Sequence, residues 1–175
     1  MQAKTLKNTG NYTIAGGDLY ATAIDTSKTL TVTPSGSLQV GTINPTHAET
    51  LTITGSDKLE LNGQLVLDVF SQNEIDQVTF ASGTPNYGSS ATLALNLVHP
   101  DDFDPYQINT LQISDLGTDS LNVKILGRDD LAAWMIGSDA VVFASYNAIP
   151  EPGTWALLLL GLGALLTAVP SRKKA

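Results

Sequence analysis

The chain has 175 residues, 17 acids against 9 bases and no cysteine. Residues 1–149 hold 16 of the acids and 6 of the bases, so the body carries a formal charge of −10 (6 − 16). That balance excludes nucleic acid as a partner, because phosphate binding needs clustered Lys and Arg. The missing cysteines exclude disulfides, thiolate nucleophiles and Cys-held metals.

Thr, Ser, Gly, Asn and Asp dominate the body, and no stretch of residues 1–130 sustains a 3.6-residue apolar period, which predicts an all-β fold with many tight turns. The first signal along the chain is an internal repeat. Leu30-Thr-Val-Thr-Pro-Ser-Gly-Ser-Leu-Gln-Val aligns with Leu51-Thr-Ile-Thr-Gly-Ser-Asp-Lys-Leu-Glu-Leu at an offset of 21 residues (51 − 30). Leu38 then matches Leu59 and Val40 matches Leu61, and a looser copy begins at Tyr12. Each copy reads as strand, Gly-containing turn and strand. A period near 20 residues suits one coil of a β-solenoid, in which Leu51 stacks over Leu30 and Ile53 over Val32. The alternative is a β-sandwich whose hairpins look alike.

Further strands are predicted at 65–70, 76–81, 91–98, 107–114, 120–126 and 140–146. Residues 81–90 read as a loop, 99–105 as a Pro- and Asp-rich connector, and 129–136 as a short helix begun by Asp129 and Asp130. The body is thus 1–147, with repeat-like coils at about 11–98 and closing strands at about 107–146. The remaining residues, 148–175, form a separate segment.

Chemistry-bearing constellations are sparse. His47 and His99 have no metal spacing around them and read as loop residues. Asp101, Asp102 and Asp104 are the densest acidic cluster, but they lack the spacing of an EF-hand or of a Gly-rich calcium repeat, so they are weak metal candidates and a solvated turn is the better reading. No nucleophile elbow, phosphate-cradling loop or paired catalytic carboxylates stand out. No catalytic residue and no cofactor is assigned, and a non-catalytic body is expected.

The tail is the most specific part. Pro150-Glu151-Pro152-Gly breaks strand and helix alike. From Trp155 to Val169 there is no charge, and this run includes Leu157, Leu158, Leu159, Leu160, Leu162, Leu165 and Leu166. A helix over 154–170 is predicted as a short membrane anchor with Trp155 at one interface. Arg172, Lys173 and Lys174 then stop transfer on the cytoplasmic side and leave the body outside.

The order Pro150-Glu151-Pro152, apolar run, Arg172-Lys173-Lys174 resembles the PEP-CTERM sorting domain of Gram-negative bacteria over residues 150–174. The resemblance implies processing near the Pro-Glu-Pro motif by an exosortase, a membrane-embedded cysteine transpeptidase-like enzyme. It also implies passage through the inner membrane to the cell surface or to the exopolysaccharide matrix of a biofilm. Here the basic cluster is Lys-rich and follows Pro170, where many members are Arg-rich. The body is similar, over about 11–98, to autotransporter-associated strand repeats of passenger-type β-helix domains, carried by Leu59-Glu-Leu-Asn-Gly-Gln-Leu-Val-Leu-Asp-Val and Ile75-Asp-Gln-Val. An exported chain should have a leader, and Met1-Gln-Ala-Lys-Thr-Leu-Lys-Asn lacks an apolar stretch behind it. The expectation is an internal start or fragment edge at Met1. The expected function is a structural or adhesive surface protein. The alternative is a calcium-assisted glycan-binding module on exopolysaccharide, and a polysaccharide-active enzyme comes last.

Overall fold

The computed structural model describes residues 1–145. Alternation of apolar and polar residues produces short strands, each ended by a turn residue, and the chain deals them out to three sheets in rotation. The first circuit is β1 (Gln2–Ala3), β2 (Leu6–Asn8) and β3 (Tyr12–Ile14), one strand to each sheet. The second is β4 (Gly17–Ala21), β5 (Ala23–Thr26) and β6 (Leu30–Val32). The third is β7 (Gly36–Val40), β8 (Thr50–Thr54) and β9 (Leu59–Leu61). In the fourth, β10 (Gln64–Ser71) is followed by β11 (Glu74–Ile75), which folds back antiparallel on it, and then by β12 (Gln77–Phe80) and β13 (Asn86–Tyr87). Two more strands extend the first sheet, β14 (Thr92–Leu97) and, after β15 (Asn109–Gln112), β16 (Asn122–Ile125).

Every pairing between circuits is parallel. The inward rows therefore stack like on like. Leu19, Leu38, Leu65, Leu93 and Val123 form one column of the first sheet. Leu6, Ile24, Ile53 and Phe80 form one in the second, and Leu30 sits under Leu59 in the third. These side chains belong to one continuous core, with Leu30, Leu38, Ile53 and Leu93 fully buried.

The stack corrects the expected register. Leu30 pairs with Leu59 and Val32 with Leu61, 29 residues apart, while Leu51 pairs with Val78 and Ile53 with Ile24. The two look-alike segments lie on different faces: residues 30–40 turn from the third sheet to the first, and 51–61 from the second to the third. Any two successive strands present the same inward alternation, so a segment aligns as well with its neighbour on the next face as with its partner one circuit on. The copies are also not hairpins, because their two strands belong to different parallel sheets, and this departs from the sandwich alternative.

A cleaner register mark is Gly-x-Leu. Gly17, Gly36 and Gly63 each precede an inward leucine by two positions, and Gly17 pairs directly with Gly36. A Cβ at Gly36 would run into the carbonyl oxygen of Ile14, and one at Gly63 into those of Thr33 and Gly36. Glycine at this corner lets one circuit pass close over the last.

A fourth, antiparallel sheet closes the far end. Its order is β15, β18 (Ala140–Ser145), β17 (Leu131–Ile136). Residues 131–136 are thus a strand, not the expected helix. Leu131, Ala133 and Met135 pack on the core while Trp134 and Ile136 are exposed, which is a two-residue period, and all six residues pair with β18. The two acids before Leu131 therefore mark no helix start; Asp130 instead holds Arg128 through paired contacts of 2.8 and 2.9 Å. The sheet's inner residues Leu111, Val141 and Phe143 extend the core, and Phe103 meets Phe143 edge to face at 5.5 Å. Polar contacts fasten this end to the last circuit: Val78 N donates to Ser114 Oγ (2.7 Å), and the Tyr87 hydroxyl donates to Leu116 O (2.8 Å).

Candidate functional site

The last described strand lies in the middle of this closing sheet. β18 is flanked on both sides, and at its end Ser145 N donates to Pro105 O at 2.8 Å. The described residues therefore end on a strand held along both edges rather than on a loose end. Pro150, Glu151, Pro152, the expected anchor beginning at Trp155 and the basic Arg172, Lys173 and Lys174 lie outside the described residues. Among the described residues no helix is long and apolar enough to cross a membrane.

The acidic candidates sit close to the end of this strand, Asp104 being next to Pro105. Asp101 and Asp102 lie in a short 3-10 turn (Pro100–Asp102) that proline opens, and both are exposed. Asp104 uses one carboxylate oxygen to accept from Tyr106 N and the other to accept from Gln107 Nε2, both at 2.9 Å. This is an Asx-type turn, which explains an aspartate there through local backbone geometry. Among the described residues no three His, Asp or Glu side chains converge to hold a metal ion. His47 is exposed beside Thr46, and His99 meets Phe70 edge to face at 6.4 Å.

The carboxylates with the most altered environment are others. Asp76 is 1% exposed, and its two oxygens accept from Glu49 N (2.8 Å) and Asp68 N (2.9 Å). It thereby ties the corner before β12 to β10 and to the loop entering β8. Burial pushes its carboxyl up to about 6, against the two backbone donors that favour the charge. Asp68 is also buried and raised, by burial first, while Asn96 Nδ2 donates to it at 2.6 Å. Glu49 accepts from Thr42 N and from the Thr42 hydroxyl. None of the three enters an ion pair among the described residues. Sequence inspection passed over this cluster. Its signal was present, since Asp68 interrupts the apolar run Leu65-Val-Leu-Asp-Val-Phe and Asp76 sits between Ile75 and Gln77-Val78. The geometry describes structural acceptors, with their oxygens committed to the fold.

Asp57 and Asp130 are exposed carboxylates held below the usual range by Lys58 and Arg128 respectively, and Asp115 by hydrogen bonds, first from Ser138. They lie apart from the buried group and mark solvated surface.

No curated protein and no solved structure matches the chain. A family model does: residues 148–173 match the PEP-CTERM protein-sorting motif, so the segment that follows the closing strand carries a sorting signal, and the motif implies an exported, exosortase-sorted protein.

Proposed function

We propose that this chain is a structural or adhesive protein of a Gram-negative cell surface, delivered by its tail and displaying a β-solenoid body in an exopolysaccharide matrix. The match over residues 148–173 carries the reading. The apolar run inserts in the inner membrane with Arg172, Lys173 and Lys174 on the cytoplasmic side, and Pro150-Glu151-Pro152 stands at the outer face. Two prolines deny that stretch a strand ladder or a helix, which keeps it extended for the exosortase.

The rotation of strands through three parallel sheets, with like residues stacked, supports a solenoid built like passenger-type β-helices. A non-catalytic body accords with buried acids that spend their oxygens on backbone N–H groups and on Asn96.

A secreted reporter fused to residues 148–175 tests the reading in a host with an exosortase and in one without. Enzyme-dependent loss of the apolar run, read by intact mass, with the reporter at the surface, is the expected outcome. Glu151→Ala in the same fusion should abolish processing. A reporter left uncleaved in the membrane of both hosts makes the segment a plain anchor and ends the sorting assignment.

A further inference from the structure

The closing sheet has a second face that the core does not use. On β15, Asn109 and Leu111 point inward, which leaves Thr110 and Gln112 outward, in line with Ile108 just before the strand. The register pairs Thr110 with Val142 and Gln112 with Ala140. On the other side Trp134 pairs with Val142, Ile136 with Ala140 and Ala132 with Ala144. The outward rows are therefore Ile108, Thr110 and Gln112 on one side and Ala132, Trp134 and Ile136 on the other, with Ala140, Val142 and Ala144 between them as a central row that is itself buried (7%, 3% and 0% exposed), so the flanking rows form the open part of this face. It carries no charge, on a body whose described surface is strongly acidic.

Its rim is well exposed: Ile108 is 63% accessible, Ile136 54% and Trp134 41%, and Tyr106, at 74%, precedes it in the chain. Four of the seven exposed large hydrophobic residues among the described residues thus gather at one small sheet. Charges lie at its edges, Asp104 in the connector, Asp139 in the β17–β18 turn and the paired Arg128 and Asp130 just before β17, but none lies within the paired strands themselves.

We infer that this face rests on the lipid surface while the chain is held by its tail. The inference rests on the anchoring role proposed for the apolar run. The last described residue of β18 is Ser145, and that run begins at Trp155. The nine residues between, ten Cα–Cα steps, reach at most about 36 Å when fully extended, so an anchored tail keeps the face within a short distance of the bilayer. A face free of charge meets the headgroup region without stripping water from ions, which would otherwise oppose contact. Tryptophan beside isoleucine, with tyrosine near, is the side-chain set that settles at a membrane–water boundary, apolar body inward and polar atom wet. The acidic remainder is turned to the aqueous side, away from anionic lipid.

Trp134 and Trp155 are the two tryptophans of the chain, so Trp155→Phe leaves Trp134 as the sole fluorophore. The full-length Trp155→Phe chain is reconstituted in phosphatidylcholine vesicles with and without brominated acyl chains. It should float with the vesicles, its emission should shift to the blue, and brominated lipid should quench it. Changing the exposed neighbours together, Ile108→Ser with Ile136→Ser, should remove that quenching while flotation persists. Flotation with Trp134 open to aqueous acrylamide and untouched by bromine overturns the inference and leaves the anchor standing. Protection from both quenchers means that protein covers the face, a second copy or the chain itself, and overturns it equally. Failure to float overturns the inference together with the anchoring on which it rests.

Discussion

Asp76 is a single side chain that joins separate parts of the body. Its carboxyl is nearly fully buried, and its two oxygens bridge the backbone of residues 49 and 68. Burial raises its folded-state pKa from 3.8 to about 6, so between those values the folded chain holds a proton that the unfolded chain has released. The sign follows. The stabilising contribution is complete below about pH 4 and is lost as pH rises through about 6. At about 1.4 kcal/mol for each pH unit, that loss is on the order of 3 kcal/mol. Asp68, raised in the same direction by burial, adds to it. The body should therefore resist urea better at pH 5 than at pH 7.5. Asp76→Asn keeps the shape but turns an amide N–H₂ toward one of the two backbone donors. It should cost about 1–3 kcal/mol at pH 5 for the bond it loses, and the difference between the two pH values should shrink by more than half. Urea midpoints at both pH values check this. An unchanged difference in the variant would place the titration on another group.

At the scale of elements, the question is which strand lies on which. Outward Thr31 and Glu60 are register partners, and the Thr31 hydroxyl donates to Glu60 at 3.0 Å. The 21-residue repeat would instead set Thr31 beside Thr52, which in fact pairs with Ala23 and Thr79. Because the chain has no cysteine, a double variant is a clean probe. Thr31→Cys with Glu60→Cys should cross-link quantitatively under mild oxidation, since neighbouring strands bring Cα atoms to about 4.8 Å, within disulfide reach. Thr31→Cys with Thr52→Cys should keep both thiols free. A free-thiol assay on the native proteins separates the two pairings, and the reverse result would restore the shorter register.

The same contrast explains what was legible. Alternation at Leu30, Val32, Leu38 and Val40 correctly marks inward rows, because these residues of β6 and β7 face the core. Which row stacks on which was hidden, because three faces share one pattern and the circuits differ in length: Leu19 to Leu38 is 19 residues, but Leu38 to Leu65 is 27, the loop 41–49 being inserted. The Gly-x-Leu corners at Gly36 and Gly63 mark the register, since close approach excludes a Cβ at both whatever the loop length. At 129–136 two acids suggested a helix start, whereas pairing along all of β17 decided the outcome through a partner strand that local pattern cannot see. The tail's signal is a linear motif, so its three parts were readable in order, and the family match covers the same stretch. Asp76 acquires its role from chain brought alongside it, the Glu49 amide above all, which composition does not reveal.

For the whole molecule, the two ends are unequal. The near end presents the first circuit, β1 to β3, while the far end is closed by the antiparallel sheet with Phe143 fully buried in it. Each circuit pairs only with the circuits on either side, so stability should pass along the stack through nearest-neighbour interfaces rather than through one global contact. A defect at the far end should then be felt locally. Phe143→Ala removes the ring that Phe103 packs against and opens a cavity beneath β18, a change of about 3–5 kcal/mol for a buried phenylalanine. Amide exchange should quicken across β15, β17 and β18 and in β12 to β14, which they cover, while β4 to β7 keep the protection of the parent chain. Phe143→Leu, a smaller truncation, should produce the same gradient at reduced amplitude, and so guards against a chain that does not fold at all. Uniform loss of protection from β1 to β18 in the leucine variant would mean that the body opens as one cooperative unit. The closing sheet would then be part of a single core rather than a lid on a stack, and a disturbance of its outer face at a membrane would reach every circuit.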